Sequence, residues 1–350
     1  MAHWQDTRIL DLFGIERPLI QAPMAGATTP EMVIAVSEAG GLGSLPGALL
    51  TLDQMQAALQ LIRAATRKPI NLNFFAHQAP QADPTAQMAW RAALAGYYVA
   101  EGLDPAAPVP SSARAPFDAA YCELVEQWRP EVVSFHFGLP APELLARVKR
   151  SGARVIASAT TVAEARWLAE RGVDAVIAMG WEAGGHRGNF LSDDMNTQVG
   201  TFALVPQVVD AVGVPVIAAG GIADRRGVRA ALALGASAVQ VGTAFLRTPE
   251  ARIPDFHRDA LRQASAEGTA LTNLFTGRPA RGLLNRLMRE QGPMSDLAPA
   301  FPTAGGALLP LRAVAEPQGR TDYSSLWAGQ AAALAPEMGS AALTRHLTDL

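Results

Sequence analysis

The residues best suited to chemistry stand in loops rich in glycine. His186 lies within Gly184-Gly185-His186-Arg187-Gly188, and an imidazole can take or hold a proton near neutral pH. A lone histidine is more often structural, yet loops carried by a rigid scaffold are where binding and catalytic groups concentrate. His136, between Phe135 and Phe137 at the end of an apolar run, reads equally well as a site residue or as a core histidine. Gly220-Gly221 and Gly242-Thr243 each close a short β-branched run. Glycine lets backbone N–H groups approach an anion without a Cβ in the way, and a following helix N-terminus favours negative charge. Tight strand-to-helix turns would explain either pair alone; both pairs on successive strands favour a phosphate site. The run Gly40-Gly41-Leu42-Gly43 is not a complete dinucleotide fingerprint. Six histidines show no His-x-x-x-His pair and Cys122 is the only cysteine. A metal centre, a thiolate cluster and an intrachain disulfide therefore find no support. No Gly-x-Ser-x-Gly elbow is present, which removes the commonest hydrolase signature.

These loops need strands to carry them. Pro18–Ala22, Pro69–Phe74, Val132–His136, Arg154–Ser158, Ala175–Met179, Val214–Ala219 and Ala238–Val241 read as buried parallel strands, with a weaker one at Gly41–Ser44. Between them lie amphipathic segments with helix punctuation. Thr29-Pro30-Glu31 offers an N-cap and a first-turn proline, and Thr161 to Glu164 fits a capping box. Leu52, Met55, Leu59 and Ile62 share one face of a helix within Thr51–Arg67. Eight strands alternating with helices predict an α/β fold, a (β/α)8 TIM barrel with right-handed crossovers. Residues 76–118, with Pro80, Pro84, Pro105, Pro108, Pro110 and Pro116, are too long for a plain loop and predict an insertion after strand three. After about residue 250 the strand pattern stops. The expected division is a barrel over 1–250 and a C-terminal helical and loop extension over 251–350.

Composition narrows the function classes. Of 350 residues, 49% are hydrophobic and 17% charged, with a net charge of −3. That excludes a disordered chain and gives no basic surface for nucleic acid. Apolar runs are too short to span a bilayer, and residues 1–8 lack a signal-peptide profile. The expected setting is the cytoplasm, without a nucleic-acid or membrane partner. The 31 glycines and 25 prolines exceed the usual shares of about 7% and 5%.

Several blocks, taken in order, resemble the nitronate monooxygenase family. They are Gln21-Ala-Pro-Met24, Ala39-Gly-Gly-Leu-Gly43, Asn71-Leu-Asn-Phe-Phe75, Ser134-Phe-His-Phe-Gly138, Glu182-Ala-Gly-Gly-His-Arg-Gly188, Ala219-Gly-Gly-Ile-Ala-Asp224 and Val239-Gln-Val-Gly-Thr-Ala-Phe-Leu246. The likeness continues into Phe275-Thr-Gly-Arg-Pro-Ala-Arg281 and Leu326-Trp-Ala-Gly-Gln330. It implies an FMN-dependent barrel that oxidises alkyl nitronates with O2 to a carbonyl compound and nitrite.

Under that resemblance, Ala22, Pro23 and Met24 would face the isoalloxazine and Asn73 would hydrogen-bond the flavin or its ribityl chain. Gly184 would let its loop approach the cofactor. Gly221, Gln240, Val241, Gly242 and Thr243 would hold the phosphate, although Gln240 and Asn73 also read as satisfied interior amides. His186 would take an acidic α-proton from a nitroalkane, or orient a nitronate already ionised. His136 would face the substrate from strand four.

Two positions depart from relatives. Met179 stands where many carry Gln, and Ser158 where some carry Lys, which alters the polar groups that tune the flavin. An FMN-dependent NAD(P)H reductase of enoyl-ACP or quinone type is the nearest alternative activity. A non-catalytic flavin- or phosphate-binding barrel is the alternative of another class. A C-terminal lid over the flavin and a homodimer surface, around Ser325-Leu-Trp327, both remain open.

Overall fold

The computed structural model describes residues 4, 6–110 and 114–350. Residues 111–113 of the insertion, and residues 1–3 and 5 of the N-terminal stretch read above, lie outside the described residues. Eleven strands are present among those described. They are β1 (Leu19–Gln21), β2 (Gly43–Pro46), β3 (Ile70–Phe75), β4 (Val132–His136), β5 (Arg154–Ala159) and β6 (Ala175–Met179), then β7 (Gly185–His186), β8 (Val216–Ala219), β9 (Ala238–Val241), β10 (Thr269–Thr272) and β11 (Ala280–Leu283). Eight of them form one parallel sheet in the order β1-β9-β8-β6-β5-β4-β3-β2. The two ends of that order meet: Gln21 N–H donates to Leu42 O at 3.0 Å, and Leu42 N–H donates to Leu19 O at 2.9 Å. The sheet is thereby closed into the expected TIM barrel.

Burial on both faces explains the near-continuous apolar strands. One face packs on the surrounding helices, through Val33, Leu59, Val133, Val155 and Val239 among others. The other fills the barrel with Ile20, Val132, Ile156, Ile177 and Ile217. Helix Arg8–Phe13 plugs the N-terminal end, adding Ile9 and Phe13 to that interior cluster. Only the C-terminal end is left to hold a ligand.

Local punctuation behaves largely as read. Thr29 accepts a hydrogen bond from Met32 N–H and Pro30 opens its helix. A reciprocal capping box forms at Thr51 and Gln54. At Thr161 only half of the expected box exists. The Glu164 carboxylate turns instead to Thr160 N–H at 2.7 Å and to Phe190 N–H at 2.6 Å, tying down the loop that follows β7.

Two expectations are corrected. Strands do not stop near residue 250, since β10 and β11 form an antiparallel hairpin that adds to β7, pairing Ala280 with His186 and Arg281 with Gly185. These are four-residue segments such as Ala280-Arg-Gly-Leu283, without a β-branched run, and pairing to β7 defines them. Nor do the cores divide at residue 250. Trp90, Leu94, Tyr97 and Tyr98, from insertion helix Pro84–Ala100, share a second core with Leu274, Phe275, Leu308, Leu311 and Tyr323. Insertion and extension together thus make one cap. Helix Ser340–Thr348 then returns to the barrel, burying Leu343 and Leu347 there. Among the described residues no helix is long and apolar enough to cross a membrane.

Candidate active site

A cavity of about 420 Å³ opens at the C-terminal ends of the barrel strands, under the cap. It brings together Ala22, Pro23 and Met24 after β1, Asn73 on β3, His136 on β4, Ser158 on β5 and Met179 on β6. Gly184, His186, Gly221, Gln240, Gly242 and Thr243 complete the expected set. Val241 is the exception. It is 1% exposed, packs in the barrel–helix core, and its carbonyl accepts Ala22 N–H at 2.8 Å. Strand alternation explains this, because Gln240 points into the cavity and its neighbour must point away.

At one end lie donors suited to phosphate. The N–H groups of Gly221, Ile222 and Gly242 have no backbone acceptor among the described residues. Thr243 begins a short helix, so its N–H lacks an intrahelical partner. Gly221 has φ +70°, a left-handed conformation that aims successive N–H groups inward. Gln240 Oε1 is buried without a partner. The free N–H donors suit a phosphate, and Gln240 Oε1 an N–H or O–H donor elsewhere on a ligand.

Gly184 serves a further purpose. A Cβ there would lie 2.5 Å from Gly329 N and 2.6 Å from Ala328 C, so glycine is required by the passage of the C-terminal strap. Gly329 N–H donates to Thr243 Oγ1 at 2.9 Å and Gln330 N–H to Glu182 O at 3.0 Å. Glu182 also caps helix Thr201–Ala211, its carboxylate accepting Thr201 N–H at 2.8 Å. The strap therefore forms part of the cavity wall beside the two glycine loops.

At the other end stands His186, 9% exposed. Its ring lies 5.3 Å from Phe301 and 5.5 Å from Trp327, centroid to centroid, with Phe75 and Phe137 beyond. Burial, reinforced by Arg114, holds its pKa well below the usual histidine value, so the imidazole is neutral at physiological pH. His136 Nδ1 lies 2.6 Å from Ser158 Oγ, and its Nε2 lies 3.2 Å from His186 O. Since a carbonyl only accepts, Nε2 carries the proton and Ser158 donates to Nδ1. Burial pushes His136 down to about 4. Asn73 Nδ2 donates to Ser134 Oγ at 3.0 Å, satisfying part of the amide within the barrel while the residue lines the cavity.

Other lining residues gave no sequence signal. Arg114 comes from the insertion, Arg252 follows β9, and Arg312 comes from the extension. Among the described residues no Asp or Glu lines the cavity. Among the described residues no three His, Cys, Asp or Glu side chains are placed to hold a metal.

The profile of the nitronate monooxygenase family matches residues 6–349. The chain belongs to the nitronate monooxygenase family. It is 42% identical to a nitronate monooxygenase of Paraburkholderia phytofirmans, over 97% of this chain and 93% of that one. A solved nitroalkane oxidase from Streptomyces ansochromogenes superposes with TM-score 0.87 at 40% identity, covering 97% of this chain and 96% of the other. FabK from Thermotoga maritima matches less well, with TM-score 0.72 and 30% identity over 99% and 95%. Members of this nitronate monooxygenase family are flavin-dependent oxidoreductases, in keeping with the donor set of the cavity.

Three buried histidines and the half-buried His136 make the protein acid-sensitive. Burial lowers His77, His186, His136 and His257, the last two to about 4. The unfolded chain takes up protons that the native one refuses, so stability is lost as pH falls below about 6.5. Each histidine contributes up to about 1.4 kcal/mol per pH unit. The strongly lowered carboxylates, Asp6 and Glu101, are held at about 2 and add their own loss only below the ordinary carboxylate range. Urea midpoints of the holoprotein should therefore fall steadily between pH 6.5 and 4.5. A flat profile there would contradict the burial of neutral histidines.

Proposed function

We propose that this protein binds FMN and oxidises alkyl nitronates with O2 to a carbonyl compound and nitrite. The observation that carries the reading is the charge of the cavity, which three arginines line and no carboxylate does. It suits two anions at once, a cofactor phosphate at the glycine loops and an ionised nitronate near His186.

FMN, when bound, accepts the electrons of the oxidation and passes them to O2. The chain supplies the rest. Gly221, Ile222, Gly242 and Thr243 offer N–H donors and Gln240 an unpartnered amide for the cofactor. Ala22, Pro23, Met24 and Met179 give an apolar wall for a flat ring. Phe75, Phe301 and Trp327 exclude water around His186, which strengthens every charge interaction inside. Arg114 and Arg312 draw in and orient the anion. His186, neutral and desolvated, takes the α-proton when the substrate arrives as a neutral nitroalkane. The cytoplasm is the proposed setting, and one buried, unpaired cysteine supports it.

The test is spectroscopic and chemical. The purified protein should be yellow, release FMN on denaturation, and produce nitrite from ethylnitronate in air. Without O2, ethylnitronate should bleach the flavin and NADPH should not. Bleaching by NADPH without nitrite production would assign the chain to the reductase class instead. A yellow protein inert to both would be a binding barrel.

A further inference from the structure

The segment Phe275-Thr-Gly-Arg-Pro-Ala-Arg281 joins β10 to β11 and reaches the candidate base. We propose that Thr276 is a positioning residue that holds the proton of His186 on Nε2 and leaves Nδ1 as the basic nitrogen. This rests on the proposed role of His186 as the proton acceptor.

Three observations carry it. His186 Nε2 lies 2.9 Å from Thr276 Oγ1, and Thr276 Oγ1 donates in turn to Arg278 O at 3.4 Å. A carbonyl only accepts, so with the Thr276 hydroxyl proton on Arg278 O the chain of bonds runs from His186 Nε2–H to Thr276 Oγ1–H to Arg278 O. Nδ1 has no hydrogen-bond partner among the described residues and is not among the fully buried unpartnered atoms. The charges nearest the ring are Arg114 and Arg278, with His136 and His77 also facing it. A cationic surrounding favours a lone pair over an N–H on the free nitrogen. The loop holding Thr276 is itself fixed: Gly277 N–H donates to Asn273 O at 2.7 Å, and a Cβ at Gly277 would strike Pro299 O.

With a nitroalkane, the α-C–H bond breaks and its proton passes to Nδ1. The bonding pair moves onto the nitro group, giving the nitronate and an imidazolium whose Nε2–H stays on Thr276. With a nitronate already formed, no proton moves and Thr276 is idle.

The test compares Thr276→Val, which keeps the shape but removes the hydroxyl, with Thr276→Ser, which keeps the hydroxyl. In the holoenzyme, Thr276→Val should lower kcat/KM for nitroethane about tenfold or more while ethylnitronate turnover stays within about twofold. Thr276→Ser should stay within about twofold of the parent on both substrates. Histidine 15N spectra of the parent protein should show His186 as the Nε2–H tautomer. An Nδ1–H tautomer, equal loss on both substrates in Thr276→Val, or a Ser variant as impaired as Val would each overturn the assignment. Should His186→Asn leave nitroethane turnover unchanged, the role of His186 itself fails, a result distinct from a wrong tautomer.

Discussion

Replacing His186 with Asn should lower kcat/KM for nitroethane by about 10²–10⁴ while ethylnitronate turnover falls far less. That range is the usual contribution of a positioned general base. The split between substrates follows from the chemistry: only the neutral nitroalkane has a proton to lose. In the parent protein, the nitroethane rate should stay level from neutral pH down past 6.5, because burial keeps the imidazole neutral there. Stopped-flow flavin reduction without O2 separates this step from later ones. Equal losses on both substrates would place His186 on the nitronate itself, and intact nitroethane turnover would remove it from catalysis.

Arg187→Met should be the most damaging single change to the fold near the site, costing about 3–5 kcal/mol. Arg187 is fully buried. Its guanidinium donates to Gly180 O at 2.5 Å, Met179 O at 2.9 Å and Gln198 Oε1 at 2.8 Å. Burial lowers its pKa only to about 10, so it remains charged. Methionine would fill the space but leave Met179 O and Gln198 Oε1 without the guanidinium and Gly180 O with only Ala183 N–H, each lost bond worth about 1–3 kcal/mol. Because Arg187 N–H also donates to Pro279 O at 2.8 Å, the same residue joins β6, β7 and the hairpin. Thermal or urea unfolding of the variant measures the loss, and a change under about 1 kcal/mol would show that water replaces the guanidinium.

The barrel was legible because its strands are apolar on both faces and its helices carry sharp caps, as at Thr29-Pro30 and Thr51. The glycine loops at one end of the cavity were legible for a related reason, since glycine pairs after successive strands are local in sequence. Val241 was grouped with its neighbours for its backbone N–H, and a contiguous motif hides that its side chain turns to the helix side of the strand. The hairpin β10–β11 escaped notice because it has no apolar period of its own and is defined by pairing between its strands, to β7 and to Leu326 and Trp327. Arg114 and Arg312 could not be found for a deeper reason. Each belongs to a different part of the cap, and only the shared core around Trp90 and Tyr323 brings those parts over the barrel. Gly184 was read as making room for a cofactor, whereas its backbone also makes room for the strap.

That strap has a consequence for how the protein is assembled. All eight barrel strands and both phosphate loops precede Ser325 in the chain, so synthesis from the N-terminus builds the cup before its cover. Until residues 325–331 dock on Gly184 and Thr243, the ligand groove stays open along one side. The order of synthesis thus completes this wall of the cavity last among the groups that line it. After docking, the strap forms one wall of the cavity, so the completion of that wall is written into the order of the chain.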